Sequence, residues 1–175
     1  FTVEENVILG GAGSAVNEII INGNKRISDD TIKIFSELNS INEIDENGIN
    51  NIIKSLYQTN YFKNINIIFE NNILTISVEE NPIIQNITFN GIKSDNLKNE
   101  ILKDIKLKSR TSYNEFLLNK DKETILYNLK NKGYYLSKVS IYKTDLDENK
   151  VDLILDINLG EKSKIEKITF LGKKI

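Results

Sequence analysis

The side chains able to do chemistry in this chain are carboxylates, lysines, tyrosines, serines and threonines, because its 175 residues include no histidine and no cysteine. That removes the group that titrates near neutrality, the thiol nucleophile and the commonest metal ligands. The densest carboxylate group is Asp145, Asp147, Glu148 and Asp152, whose chemistry would be calcium binding. It lacks the spacing and glycine of a calcium loop, and a solvated hairpin tip accounts for it better. Glu79 and Glu80 are adjacent, but successive strand residues face opposite sides, so they make no working acid and base pair. With no nucleophile and base at a recognisable spacing, the chain is read as non-enzymatic, without catalytic, metal or cofactor-binding residues.

Charge narrows the partners. The 23 basic and 25 acidic residues leave a net charge of −2, too little of either sign to draw the chain to phosphate polymers or anionic lipid. No apolar run approaches the ~20 residues of a membrane-spanning helix, and no charged-then-apolar signal segment opens the chain. The chain starts at Phe1 and contains no methionine, so it is expected to be a piece of a longer protein. Residues 1–16, with the small-residue stretch Gly10 to Ala15, read as a flexible leader.

The elements that must position any site are organised by an internal repeat. Ile19-Ile20-Ile21-Asn22-Gly23 recurs as Ile87-Thr88-Phe89-Asn90-Gly91 and again as Ile168-Thr169-Phe170-Leu171-Gly172. Apolar residues four and two positions before each glycine lie on one strand face, and the glycine marks a turn. Ser28 and Ser94 then suit helix N-caps ahead of the stripes Ile32, Phe35, Leu38 and Leu97, Ile101, Ile105. A second helix follows in each unit. In the first, Ile49, Ile52, Ile53, Leu56 and Tyr57 repeat with helical period behind a cap at Asp45. In the second, Ser112 and Glu115 read as a capping box ahead of Phe116, Leu118, Ile125, Leu126 and Leu129, with Gly133 as the stop.

Two alternating strands close each unit. Ile65, Ile67 and Phe69 lead through Asn71-Asn72 into Leu74, Ile76 and Val78, and Val139 and Ile141 pair with Val151, Leu153, Leu155 and Ile157. The expected organisation is a leader over 1–16, modules over 17–81 and 82–161, and the first strand of a third over 162–175. Each module reads strand, helix, helix, strand, strand. The fold class is α+β, a three-stranded mixed sheet packed against two helices.

That order resembles the POTRA domains of BamA-type outer-membrane protein assembly factors. The likeness is carried by Tyr57-Gln58-Thr59-Asn60-Tyr61-Phe62, Val78-Glu79-Glu80-Asn81-Pro82-Ile83-Ile84, Lys132-Gly133-Tyr134-Tyr135 and Leu159-Gly160-Glu161. It implies a non-catalytic scaffold at the periplasmic face of the outer membrane, continuous with downstream POTRA modules and a barrel. Its partners would be unfolded outer-membrane proteins and accessory assembly lipoproteins. TamA-like or two-partner secretion transporters are the alternative within that resemblance. A KH-like nucleic-acid module is remote, because neither inter-helix segment holds the GXXG loop such a module needs.

A three-stranded sheet leaves a strand margin to which an extended peptide can add. The candidate margin residues are Tyr61, Lys63, Asn64, Asn66 and Ile68 in the first unit. In the second they are Tyr135, Ser137, Lys138, Ser140 and Tyr142. Lys138 and Lys143 equally suit a margin protected against pairing. Gly23, Gly91, Gly133 and Gly172 are the structural turn residues.

Overall fold

The computed structural model describes residues 14–38, 43–164, 166, 167 and 169. The chain divides into two compact units between Pro82 and Ile83. In the first unit, strand β1 (Ser14–Ala15) is followed by β2 (Glu18–Asn22), helix α1 (Asp29–Phe35), β3 (Glu43–Ile44), helix α2 (Glu46–Gln58), β4 (Phe62–Glu70) and β5 (Ile73–Glu80). The main sheet has the order β2-β5-β4. β5 pairs parallel with β2 and antiparallel with β4. A parallel pair requires a long crossover, and α1 and α2 supply it.

Local chemistry sets the boundaries. Ser28 caps α1 by accepting from the Thr31 N–H, and Asp45 caps α2 by accepting from Gly48 at 2.7 Å. Asn71 and Asn72 both have positive φ, 51° and 64°, the conformation that lets a tight hairpin follow the strand twist. The core joins Ile32 of α1 and Ile49, Ile52 and Leu56 of α2 to Leu74, Ile76 and Val78 of β5. Each such side chain removed from water contributes about 1.5–3 kcal/mol.

The second unit repeats the plan with β6 (Ile83–Asn90), α3 (Asp95–Leu102), α4 (Glu115–Asn131), β7 (Lys138–Leu146) and β8 (Lys150–Asn158). Its sheet order is β6-β8-β7, again with a parallel β6/β8 pair. Glu148 and Asn149 make its hairpin turn, with φ of 59° and 54°. Ile84, Ile101, Ile125, Leu129 and Val151 are fully buried at its centre. The α+β class, with three-stranded mixed sheets and two helices beside each, is the observed architecture.

Several details differ from the sequence reading. The leader expected over 1–16 ends in structure, because β1 pairs antiparallel with β3 and Val16 packs on the first core; residues 1–13 lie outside the described residues. The cap of α4 is Asn114, which accepts from Leu117 at 3.0 Å, not Ser112. Ser112 instead bridges to Ile83 in an extended segment, so the helix starts later. Leu38 and Ile105 fall beyond their helices, yet Leu38 is buried and Ile105 packs on the second core. Of the strand expected over 162–175 only 162–164, 166, 167 and 169 are described, and Gly172 lies outside them.

Buried carboxylates hold the loops in place. Glu80, 7% exposed, accepts with one oxygen from the backbone N–H groups of Lys25, Arg26 and Ile27 at 2.8–2.9 Å. Its other oxygen faces Arg26 Nε at 3.5 Å. Burial pushes this carboxyl up, but the three backbone bonds and the Arg26 charge together outweigh it and hold the group below its ordinary value. Asp121, in the polar middle of α4, is 3% exposed and accepts from the backbone of Lys106 and Leu107. Those bonds explain why a carboxylate can face inward from this stretch while Asn119, Lys120 and Glu123 stay exposed.

Two outcomes follow. A Cβ at Gly91, where φ is 90°, would stand 1.8 Å from the Ile157 carbonyl oxygen, so Gly91→Ala should cost at least about 2 kcal/mol in chemical denaturation. A depressed carboxyl contributes stability that is present above its unfolded value near 4.5 and lost as pH falls through the lower folded value. Acid should therefore weaken the first unit, and Glu80→Gln should remove part of that pH dependence and about 1–3 kcal/mol at neutral pH. Denaturation followed at second-unit resonances reads the Gly91 change, and at first-unit resonances the Glu80 change.

Candidate functional site

Because β5 and β8 come last in their units yet sit in the middle of their sheets, the hairpin partners β4 and β7 are left at the margins. In the second unit the opposite margin, β6, starts under cover, because Ile84 accepts from Arg110 N–H at 2.7 Å and donates to the Thr111 carbonyl at 2.9 Å. Backbone groups of a margin strand alternate in direction, so those pointing away from the sheet face water or a partner.

On β4, Asn64, Asn66 and Ile68 share the outward face, with Ile68 opposite Thr75, which in turn pairs with Ile20. Lys63 is engaged by Glu79 at 2.9 Å, and the Asn64 amide donates to the same carboxylate at 2.5 Å. The Lys63 hydrogen bond is the main reason the Glu79 carboxyl lies below its ordinary value. Tyr61 is not on this face. It precedes β4 and packs against Phe35 and Phe62, with ring centroids 5.7 and 6.4 Å away, while the Arg26 guanidinium stands 5.7 Å from its ring. Its backbone carbonyl accepts from Asn81.

On β7, Lys138, Ser140 and Tyr142 share the outward face, and Tyr142 lies in register with Ile154, itself paired with Thr88. Tyr142 is 58% exposed and Ile154 40%, an apolar row across an otherwise polar sheet face. Tyr135 and Ser137 belong to the loop before the strand. Tyr135 is exposed, and the Ser137 hydroxyl donates to the Tyr134 carbonyl. Tyr134, by contrast, packs on the second core. Lys143 is held by Asp145 at 2.9 Å and lies 5.3 Å over the Tyr113 ring. The Asp145 bond, more than any other influence, raises the Lys143 pKa.

Two exposed residues escaped the sequence reading. Leu136, 75% exposed, sits beside Tyr135 at the entrance to β7, and Phe116, 70% exposed, lies in the first turn of α4. Phe116 reads as a core residue in the same stripe as Leu118, but the two lie about 200° apart around a helix, and Leu118 is the buried one. Among the described residues there is no cluster of acidic groups able to hold a metal ion, and no helix is long and apolar enough to cross a membrane.

The hairpin strands β4 and β7 are thus the sheet margins in both units, with main-chain groups directed away from their sheets. Residues 82–160 match the profile of the POTRA family, described as surface antigen variable number repeat. The chain is 29% identical over 137 residues, 74% of its length, to the outer membrane protein assembly factor BamA of Buchnera aphidicola subsp. Acyrthosiphon pisum. It is 25% identical over 170 residues, 93% of its length, to BamA of Nitratidesulfovibrio vulgaris. In both comparisons it spans 21% of the relative's length. Among solved structures, the N-terminal domain of Omp85 from Thermosynechococcus elongatus aligns with a TM-score of 0.54 at 15% identity, covering 83% of this chain and 63% of that one. BamA POTRA3-5 from Haemophilus influenzae aligns at 0.50 with 16% identity, covering 95% and 74%. At those identities the structural likeness is one of fold. The second unit thus carries the POTRA profile, the first repeats its order of main-sheet strands and helices, and the chain is similar to BamA proteins along most of its length.

Proposed function

We propose that these two modules are part of the periplasmic arm of a BamA-type assembly factor at the outer membrane. In this reading they receive segments of unfolded outer-membrane proteins on the way to a barrel in the same polypeptide. They act as scaffold rather than enzyme, and accessory assembly lipoproteins are further partners. The observation that carries the reading is the similarity to BamA over 93% of the chain. Physically, main-chain pairing at β4 or β7 asks little of the client's sequence, which suits a receptor for many clients.

Because the chain has no cysteine, single thiols can be placed in it and challenged in the parent protein with a thiol-reactive crosslinker during export. At least one of Asn66→Cys and Ser140→Cys should capture nascent outer-membrane proteins well above Glu123→Cys on the exposed side of α4. Equal capture at all three positions, or none, would remove strand addition as the mode of reception.

A further inference from the structure

The two margins differ at corresponding positions. In the first module the hydroxyl of Tyr57, in the last turn of α2, accepts from the Ile65 N–H at 3.3 Å. A donor serving Tyr57 is not serving β5, so it points away from the sheet, where an added strand would need it. The same end of β4 carries a register irregularity between Phe62 and Asn64. Lys63 and Asn64 are both tied to Glu79 there. This half of β4 is closed by the module's own side chains.

Among the described residues, the second module shows none of these devices. Gly23 stands against the Val78 carbonyl as Gly91 stands against that of Ile157. Ile65 pairs with Val78 and Val139 with Ile157, so Val139 corresponds to Ile65. Leu56 and Leu129, both fully buried, lie two residues before the ends of α2 and α4. Lys130 therefore holds the place of Tyr57. No side chain accepts from the Val139 N–H among the described residues, and the β7/β8 ladder runs without irregularity from Lys138 to Leu146. Lys130 and Lys138 are exposed and form no ion pair among the described residues. Where the first module presents a hydroxyl that takes up a donor, the second carries exposed lysines at the corresponding helix position and at the start of β7.

We propose that Tyr57 closes the β4 margin and that β7 is the acceptor, taking an extended peptide segment that carries carboxylates toward Lys130 and Lys138. This rests on the strand-addition reading above. Opposite charge would set the preference among extended segments while the main chain supplies most of the contact.

Amide hydrogen exchange on the 175-residue chain tests it, with a short synthetic peptide alternating tyrosine and threonine and bearing two glutamates as probe. The peptide should slow exchange at Val139 and Ile141 and leave Ile65 and Ile67 unchanged. Replacing its glutamates by glutamine should weaken binding about threefold or more. Tyr57→Phe, which keeps the ring and removes only the hydroxyl, should make Ile65 protectable by the same peptide. Protection at Ile65 in the unaltered chain, or none gained in Tyr57→Phe, would overturn the inequality while strand addition stands. Equal binding of the glutamine peptide would overturn the charge preference, and protection at neither margin would remove this inference and the strand-addition reading together.

Discussion

In each module the last strand is hydrogen-bonded on both sides, and this one pairing constrains the rest. Its parallel partner is the first strand of the three-stranded sheet, β2 or β6, so the chain must cross over, and here the crossover carries two helices. The helices bury their apolar sides on one face of the sheet, and the hairpin partner is pushed to the margin. The first strand must also end hard against the central strand. Gly23 and Gly91 meet the carbonyls of Val78 and Ile157 at distances no side chain tolerates. The repeated glycine is a packing requirement of the parallel pair, and the free margin is its consequence.

The turn that leaves that glycine is secured differently in the two modules. In the first, Glu80 extends the inward series Leu74, Ile76, Val78 and gathers three backbone donors from Lys25 to Ile27. The corresponding place in the second, counted from Ile157, is Leu159, which packs on the apolar core. There the buried carboxylate is Asp121 on α4, and it fixes the connector between the helices instead. Buried charges survive in such small cores because each is surrounded by main-chain donors that replace water.

Much of this was legible in the residues. Period-two alternation and the recurring glycine marked the strands, and Ser28, Asp45 and Ser94 marked three helix starts, since these signals act within a few residues. What was less legible depends on contacts distant in sequence. Ser112 looked like a cap until its extended pairing with Ile83 displaced the start of α4 to Asn114. Tyr61 looked like a margin residue, but its ring is drawn inward by Phe35 and Phe62. The inward positions of Glu80 and Asp121 did carry a signal, each continuing an apolar periodicity. The reach of Tyr57 to Ile65 carried none.

The proposal that these modules belong to an assembly factor with an outer-membrane barrel is tested most directly by the gel mobility of the parent protein. Antibody raised against this chain would be used on outer-membrane fractions of the source cells, comparing boiled with unboiled samples. The expected result is a band much larger than the chain whose mobility shifts on boiling, as a folded barrel opens. A band in the soluble or inner-membrane fraction with no heat shift would contradict it.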